Sequence, residues 1–232
     1  MQHNNMIETL REFPILSECS DKELEWLSGK ITEKSFFKGE TIYREGEDGS
    51  HVYFVTDGSA KLGITSSCGK ILIKDIVHAS DVFGENIFTS VNTRKEFAEV
   101  MKGTISLLMI RKDDFQKLLL HNQRFANSVI NLVVTRLNAL EKRMENFIFK
   151  KAKARIVDFI VNTGKNRGIK IGLDELLINH GMSHKEIAFL TDTSRQTVAR
   201  VLGELKKDSL IHFSSRKPSK ILIRDFASLN AF

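Results

Sequence analysis

Up to about residue 110, hydrophobic and polar positions fall into short runs of β-formers separated by turn residues. TIYREG (41–46), HVYFVTDG (51–58), AKLGIT (60–65), KILIKDIV (70–77), DVFG (81–84), FAEVM (97–101) and SLLMI (106–110) are the candidate strands. Glycines at 39, 46, 49, 58, 63, 69, 84 and 103 mostly punctuate them, as tight turns require. Many short strands at near-regular spacing predict a sandwich or barrel. Ahead of them, Ser20-x-x-Glu23 forms a capping box and predicts a helix over about 20–28, with Leu24 and Leu27 on its inner face.

The pattern then changes period. No Gly or Pro occurs from Lys112 through Thr163. Ile130, Val133, Leu137, Leu140, Met144 and Phe147 alternate three and four apart, a heptad seam among polar neighbours such as Lys142 and Arg143. One face of such a helix can lie on the chain's own β-domain. A narrow seam on a long uninterrupted helix is better matched by a twin helix, so the reading is a parallel homodimer through those six residues. Beyond it, Arg155–Val161 continues helical, NTGKNRG (162–168) breaks the helix, and two short helices precede two short strands near 210–213 and 220–223.

The two short helices lie in MSHKEIAFLTDTSRQTVARVLGEL (182–205). Ser183 with Glu186 forms a capping box, so a helix begins at His184, with Ile187, Ala188 and Leu190 inward. Thr191-Asp192 interrupts it, and Asp tolerates a left-handed turn. Thr193 with Gln196 gives a second capping box, and Val198, Val201 and Leu202 face inward on the next helix. Ser194, Arg195, Gln196, Thr197 and Arg200 are left outward. Two helices joined by about three residues, the second with a polar and cationic N-terminus, make a helix-turn-helix. Arg offers a fork to guanine and Gln pairs with adenine, while Ser194 and Thr197 suit phosphate oxygens. The following strands form a hairpin with a basic tip at Arg216, Lys217 and Lys220, placed as a wing against DNA backbone.

Charge sharpens this picture. From Phe149 onward 16 Lys/Arg stand against 8 Asp/Glu, a surplus of +8, while the remainder, 19 against 21, carries −2, in agreement with the overall +6. A basic C-terminal third suits a polyanion, whereas a bare helical hairpin with a solvated face needs no such asymmetry. The 232 residues, 41% hydrophobic and 28% charged, fit one large domain or two ordinary ones. No apolar run reaches the roughly 18–20 residues of a membrane span, and the N-terminus lacks a signal-peptide layout, so the expected location is the cytoplasm, with no membrane partner.

The whole pattern resembles the CRP/FNR family of bacterial transcription regulators. Gly39–Gly46 (GETIYREG), Tyr53–Leu62 (YFVTDGSAKL) and Asp81–Glu85 (DVFGE) are similar to the family's β-roll signature, and Thr193–Leu202 (TSRQTVARVL) is similar to its recognition helix. The resemblance implies an α+β chain of two domains. A double-stranded β-helix sensor of the cyclic-nucleotide-binding type, jelly-roll-like, would span 1–111. A long dimerisation helix would span 112–149, and a winged helix-turn-helix 150–232. It implies a homodimer on a palindromic operator of double-stranded DNA, gated by a small effector, with RNA polymerase a further expected partner. Arg195, Gln196 and Arg200 match the family's base-reading positions. Gln196 stands where many members have Glu, which shifts the expected preference at that base from cytosine towards adenine.

The effector is left open. In cyclic-nucleotide-binding members a Gly-Glu pair and a following Arg-Ser pair hold the ribose and the cyclic phosphate. Gly84 and Glu85 match the first pair. Counting forward from Glu85 sets Arg94-Lys95 at the second, whereas counting back from strand 106–110 sets Lys95-Glu96 there, and neither is Arg-Ser. Glu96 and Glu99 add repulsion towards a phosphate, and Leu140 and Glu141 fall where cyclic-AMP-binding members carry hydroxyl contacts to the base. Arg94 and Lys95 are therefore expected to be solvated loop residues without ligand, and a cyclic-AMP- or cyclic-GMP-gated member is the disfavoured alternative. Cys19 and Cys68 are too few for an iron–sulfur cluster, His78 stands without a haem partner, and the other histidines show no metal spacing. No P-loop, nucleophile elbow or metal motif supports an enzyme.

Overall fold

The computed structural model describes residues 2–84, 93–173, 175–178, 182–213 and 220–230. The chain divides into two compact units, Met1–Leu137 and Asn138–Phe232. The first begins with α1 (Gln2–Arg11), a 3-10 turn at Pro14–Leu16, and α2 (Asp21–Ser28), where the Ser20/Glu23 capping box forms in full. Among the described residues, eight strands follow: β1 (Thr32–Phe37), β2 (Thr41–Tyr43), β3 (His51–Asp57), β4 (Ser59–Thr65), β5 (Ile71–His78), β6 (Val82–Phe83), β7 (Phe97–Val100) and β8 (Thr104–Arg111). Then come α3 (Lys112–His121) and α4 (Gln123–Phe149), the latter crossing the boundary between the units.

Among the described residues the strands make two antiparallel sheets, ordered β1-β8-β3-β6 and β2-β7-β4-β5. Every residue from Val52 to Val55 is buried, because β3 is covered on both faces. Val52 and Phe54 point to a core shared with Phe13, just ahead of the 3-10 turn, and with Leu24, Phe115 and Phe125 from the helices. Tyr53 and Val55 point to a second core with Tyr43, Leu62, Phe83 and Ala98 from both sheets. Each such side chain contributes about 1.5–3 kcal/mol on full burial.

The long helix expected over 112–149 is two helices. Asn122 breaks it in an extended conformation, its Oδ1 accepting from the Phe125 N–H at 2.9 Å to cap α4. Its amide donates to the Glu18 carbonyl at 3.2 Å and to the Glu23 carboxylate at 3.0 Å, which pins the break to α2. In the first unit α4 carries two stripes. Phe125 and Val129 are buried and Leu132 packs on the same core, while the Arg136 guanidinium donates to the Val82 carbonyl at 2.5 Å. The seam residues Ile130, Val133, Leu137, Leu140, Met144 and Phe147 are 46–62% exposed on the chain.

The second unit continues with α5 (Ala152–Arg167), β9 (Ile169–Lys170), β10 (Leu176–Ile178), α6 (His184–Leu190), α7 (Arg195–Lys207), β11 (Ile211–Phe213), β12 (Ile221–Ile223) and α8 (Phe226–Asn230). The helix expected to fail at NTGKNRG runs through to Arg167. Gly164 is not a breaker: a Cβ there would lie 3.0 Å from Ile223 Cδ1 and 3.4 Å from Phe226, so its absence lets α5 approach β12 closely. The break falls earlier, at extended Lys151, between α4 and α5. The sheet order is β11-β12-β10-β9, and Ile156, Ile160, Ile187, Val198, Leu202 and Ile223 share its core.

Candidate DNA interface and effector corner

The helix-turn-helix is α6 and α7. The Ser183/Glu186 capping box starts α6 at His184 as its sequence predicts. The second cap sits one residue later than predicted: Ser194, not Thr193, precedes the helix, and its Oγ accepts from the Thr197 N–H at 3.0 Å. The Ser194 and Thr197 hydroxyls also bond each other at 2.9 Å. Val198, Val201, Leu202 and Leu205 are buried, which turns Ser194, Arg195, Gln196 and Arg200 outward, all exposed, with Thr197 half-buried. Arg200 is held by Glu204 one turn on at 2.5 Å, and Lys153 approaches the same carboxylate at 3.4 Å. These cations hold Glu204 below the usual carboxylate range despite its desolvation.

β11 and β12 pair antiparallel, with Ile211 opposite Ile223 and Phe213 opposite Ile221, which makes the hairpin of the expected wing. Lys220 opens the returning strand and is half-buried; Arg216 and Lys217 lie outside the described residues.

The turn between the helices carries a feature that spacing did not reveal. Asp192 has φ of 50°, in the left-handed region. Its carboxylate receives Arg143 of α4 as a fork, Nη2 to Oδ1 at 2.7 Å and Nε to Oδ2 at 2.9 Å, and Nη2 also donates to the Phe189 carbonyl at 2.8 Å. Arg155 of α5 donates to the Thr191 and Asp192 carbonyls at 2.8 Å each and to the Lys150 carbonyl at 2.6 Å. Its guanidinium lies 5.2 Å from the Phe147 ring centre.

At the β-roll, Glu85 lies outside the described residues, but Gly84 and Arg94 do not. Arg94 was expected in solvent and is instead 2% exposed. Its Nη1 donates to the Gly84 carbonyl at 3.0 Å and its Nη2 to the His51 carbonyl at 2.5 Å. The guanidinium carbon lies 4.2 Å from the Tyr43 ring centre and 5.3 Å from that of Tyr53, itself stacked on Phe83 at 4.9 Å. Two tyrosine faces and two carbonyls offer a cation a better site than the charge pattern alone suggested. Gly84 is required: φ is 89°, and a Cβ would lie 2.9 Å from Arg94 Nη1. Lys95 is exposed, as expected, so Arg94 is the residue that meets Gly84. Arg94 Nε finds no hydrogen-bond partner among the described residues.

Glu96, whose charge was expected to repel a phosphate, is buried and engaged, taking Lys74 at 2.5 Å and the Tyr43 hydroxyl at 3.2 Å. Glu99 pairs with Lys61 at 2.5 Å. Burial, then Arg94 and Arg111, hold the His51 imidazole below its usual range, and burial pushes the Tyr53 phenol up. Leu140 and Glu141 belong to the second unit and are exposed on it. A cavity of about 360 Å³ between α2 and α3, lined by residues such as Trp26 and Lys117, shares none of the corner's residues. Among the described residues, no three His, Cys, Asp or Glu side chains gather as a metal site.

Two family models match the chain: a cyclic nucleotide-binding domain over residues 33–122 and a Crp-like helix-turn-helix domain over 154–232. An anaerobic regulatory protein of Bacillus subtilis is 25% identical over 205 residues, 87% of this chain and 84% of that protein. A CRP-like cAMP-activated global transcriptional regulator of Mycobacterium tuberculosis is 23% identical over 95% of this chain and 96% of its own. The structure of FixK2 from Bradyrhizobium japonicum aligns with a TM-score of 0.75 at 23% identity, over 87% of this chain and 96% of that one. The architecture is thus a cyclic-nucleotide-binding-type β-roll followed by a DNA-binding helix-turn-helix. The chain belongs to the CRP/FNR family of transcription regulators, whose members are not enzymes. Among the described residues, no helix is long and apolar enough to cross a membrane.

Proposed function

We propose that the chain is a cytoplasmic homodimeric regulator that reads a palindromic operator with Arg195, Gln196 and Arg200. Ser194, Thr197, Lys220 and the wing residues Arg216 and Lys217 would sit against the backbone, and RNA polymerase would be a further partner. The observation that carries this reading is the exposed apolar seam of α4, opposite a stripe that the chain covers with its own core. Six apolar side chains at heptad spacing are the surface a second copy would bury, and a two-fold pair of α7 helices would then face one side of a duplex. Leu140→Glu with Met144→Glu puts two charges into that seam. Native mass spectrometry should find the natural chain as a dimer and the double variant as a monomer; a natural chain that stays monomeric at micromolar concentration sinks the proposal.

Gly84, Glu85 and Arg94 would form the effector corner of the β-roll, with Lys95 at its exposed rim. A buried guanidinium whose Nε–H meets no acceptor among the described residues favours a small molecule bearing an anionic group. Cyclic AMP or cyclic GMP is the second reading. The match over 33–122 and the meeting of Arg94 with Gly84 favour it, and exposed Lys95 in the place of a serine hydroxyl opposes it. Isothermal titration separates the two: saturable heat with either cyclic nucleotide selects the second, and none leaves the first.

A further inference from the structure

We infer that Arg143 and Asp192 are a positioning pair that sets the placing of each recognition helix relative to the dimer seam, and so the half-site spacing the protein accepts. The inference rests on the regulator reading above and deepens it. Arg143 lies on the last turns of α4 among seam residues Leu140, Met144 and Phe147, while Asp192 is two residues before Ser194, the cap of α7. Between them the backbone passes through the break at Lys151 and all of α5 and α6. The fork at 2.7 and 2.9 Å closes that route directly, with side chains only 21% and 17% exposed, so water screens it weakly.

The residue chosen for the turn supports a purpose beyond turning. At φ of 50° glycine is the least strained choice, and Asp is tolerated at some cost. An aspartate there supplies what glycine lacks, a carboxylate aimed at α4. Arg155 strengthens the junction from the other side. It ties the Thr191 and Asp192 carbonyls to the Lys150 carbonyl at the break and lies against the ring of Phe147, a seam residue. Seam, break and reading helix therefore meet at one cluster of two arginines and one aspartate.

Asp192→Gly is the informative variant, because glycine keeps the left-handed turn and removes only the carboxylate. Arg143→Met removes the other partner from a helix surface without adding charge. Affinity is measured by fluorescence anisotropy on the operator, on variants with one to three base pairs added to or removed from the spacer, and on an isolated half-site. The natural protein should prefer one spacer by on the order of tenfold or more. Both variants should hold half-site affinity within about threefold and flatten the spacer preference to about the same range. Unchanged spacer preference in both variants overturns the inference. So does a half-site loss as large as the operator loss, since that marks damage to α7 itself. A natural protein that shows no spacer preference removes the dimeric-regulator reading instead, and this inference with it.

Discussion

Arg94 bonds two carbonyls of its own fold and rests on two tyrosine rings, so its side chain is part of the β-roll core. Removing it leaves the Gly84 and His51 carbonyls without that donor in a buried place. Such losses cost about 1–3 kcal/mol, and the guanidinium's contact with Tyr43 adds about 1–2 more. Arg94→Met should therefore lower the urea midpoint by an amount worth about 2–4 kcal/mol, whereas Lys95→Met should stay within about 0.5 kcal/mol. Equal small effects would mean that Arg94 is as solvated as its neighbour. His51 adds a pH signature. Its folded pKa is depressed by burial and by Arg94 and Arg111, so the unfolded chain takes up a proton first as pH falls. Stability is full above the ordinary imidazole range and declines as pH drops below it towards the folded value. A His51→Gln variant should lose that part of the slope between pH 7 and 5, and an unchanged slope would contradict the assignment. The sequence located this corner but not its state. Adjacent cations in a loop look solvated until the fold brings Tyr43, Tyr53 and two carbonyls around one of them.

At the scale of elements, each core-facing run was legible because burial on one or two faces leaves an apolar record. All seven candidate strands are present as β2 to β8. β1 left little trace, since only Phe36 of its six residues is buried and four of the others are polar. Among the described residues it lies at the edge of its sheet, paired only with β8, where polar residues are expected. The breaks in the long helical stretch were equally hidden, because neither uses Gly or Pro. Asn122 ends one helix and caps the next through tertiary bonds to Glu18 and Glu23, which spacing does not display. Gly164 misled in the opposite direction, being a point of close approach inside a helix. Gly164→Val should drive its branched methyls into Ile223 and Phe226 and lower stability by about 1–3 kcal/mol. A raised midpoint in urea would instead mean that α5 and β12 have room to spare and that the glycine is merely a weak helix former.

For the whole molecule, the account joins an asymmetric charge, a seam at heptad spacing and an outward reading helix. The +8 surplus from Phe149 onward gives attraction to any duplex, so affinity alone tests little and should fall steeply with salt. In the proposed reading, sequence would be read by Arg195, Gln196 and Arg200, and symmetry by the twin helix that the seam would recruit. The Arg143–Asp192 fork escaped the sequence reading because its partners are 49 residues apart and look like an ordinary surface charge and an ordinary turn residue. The most direct measurement is selection of binding sites from random duplexes, run in parallel with the natural chain and Gln196→Glu. The account predicts a two-fold symmetric consensus with half-sites about 34 Å apart, and a Gln196→Glu consensus that differs at one position in each half-site. An unsymmetric or absent consensus for the natural chain would contradict it, and identical consensus sequences would remove Gln196 from base reading.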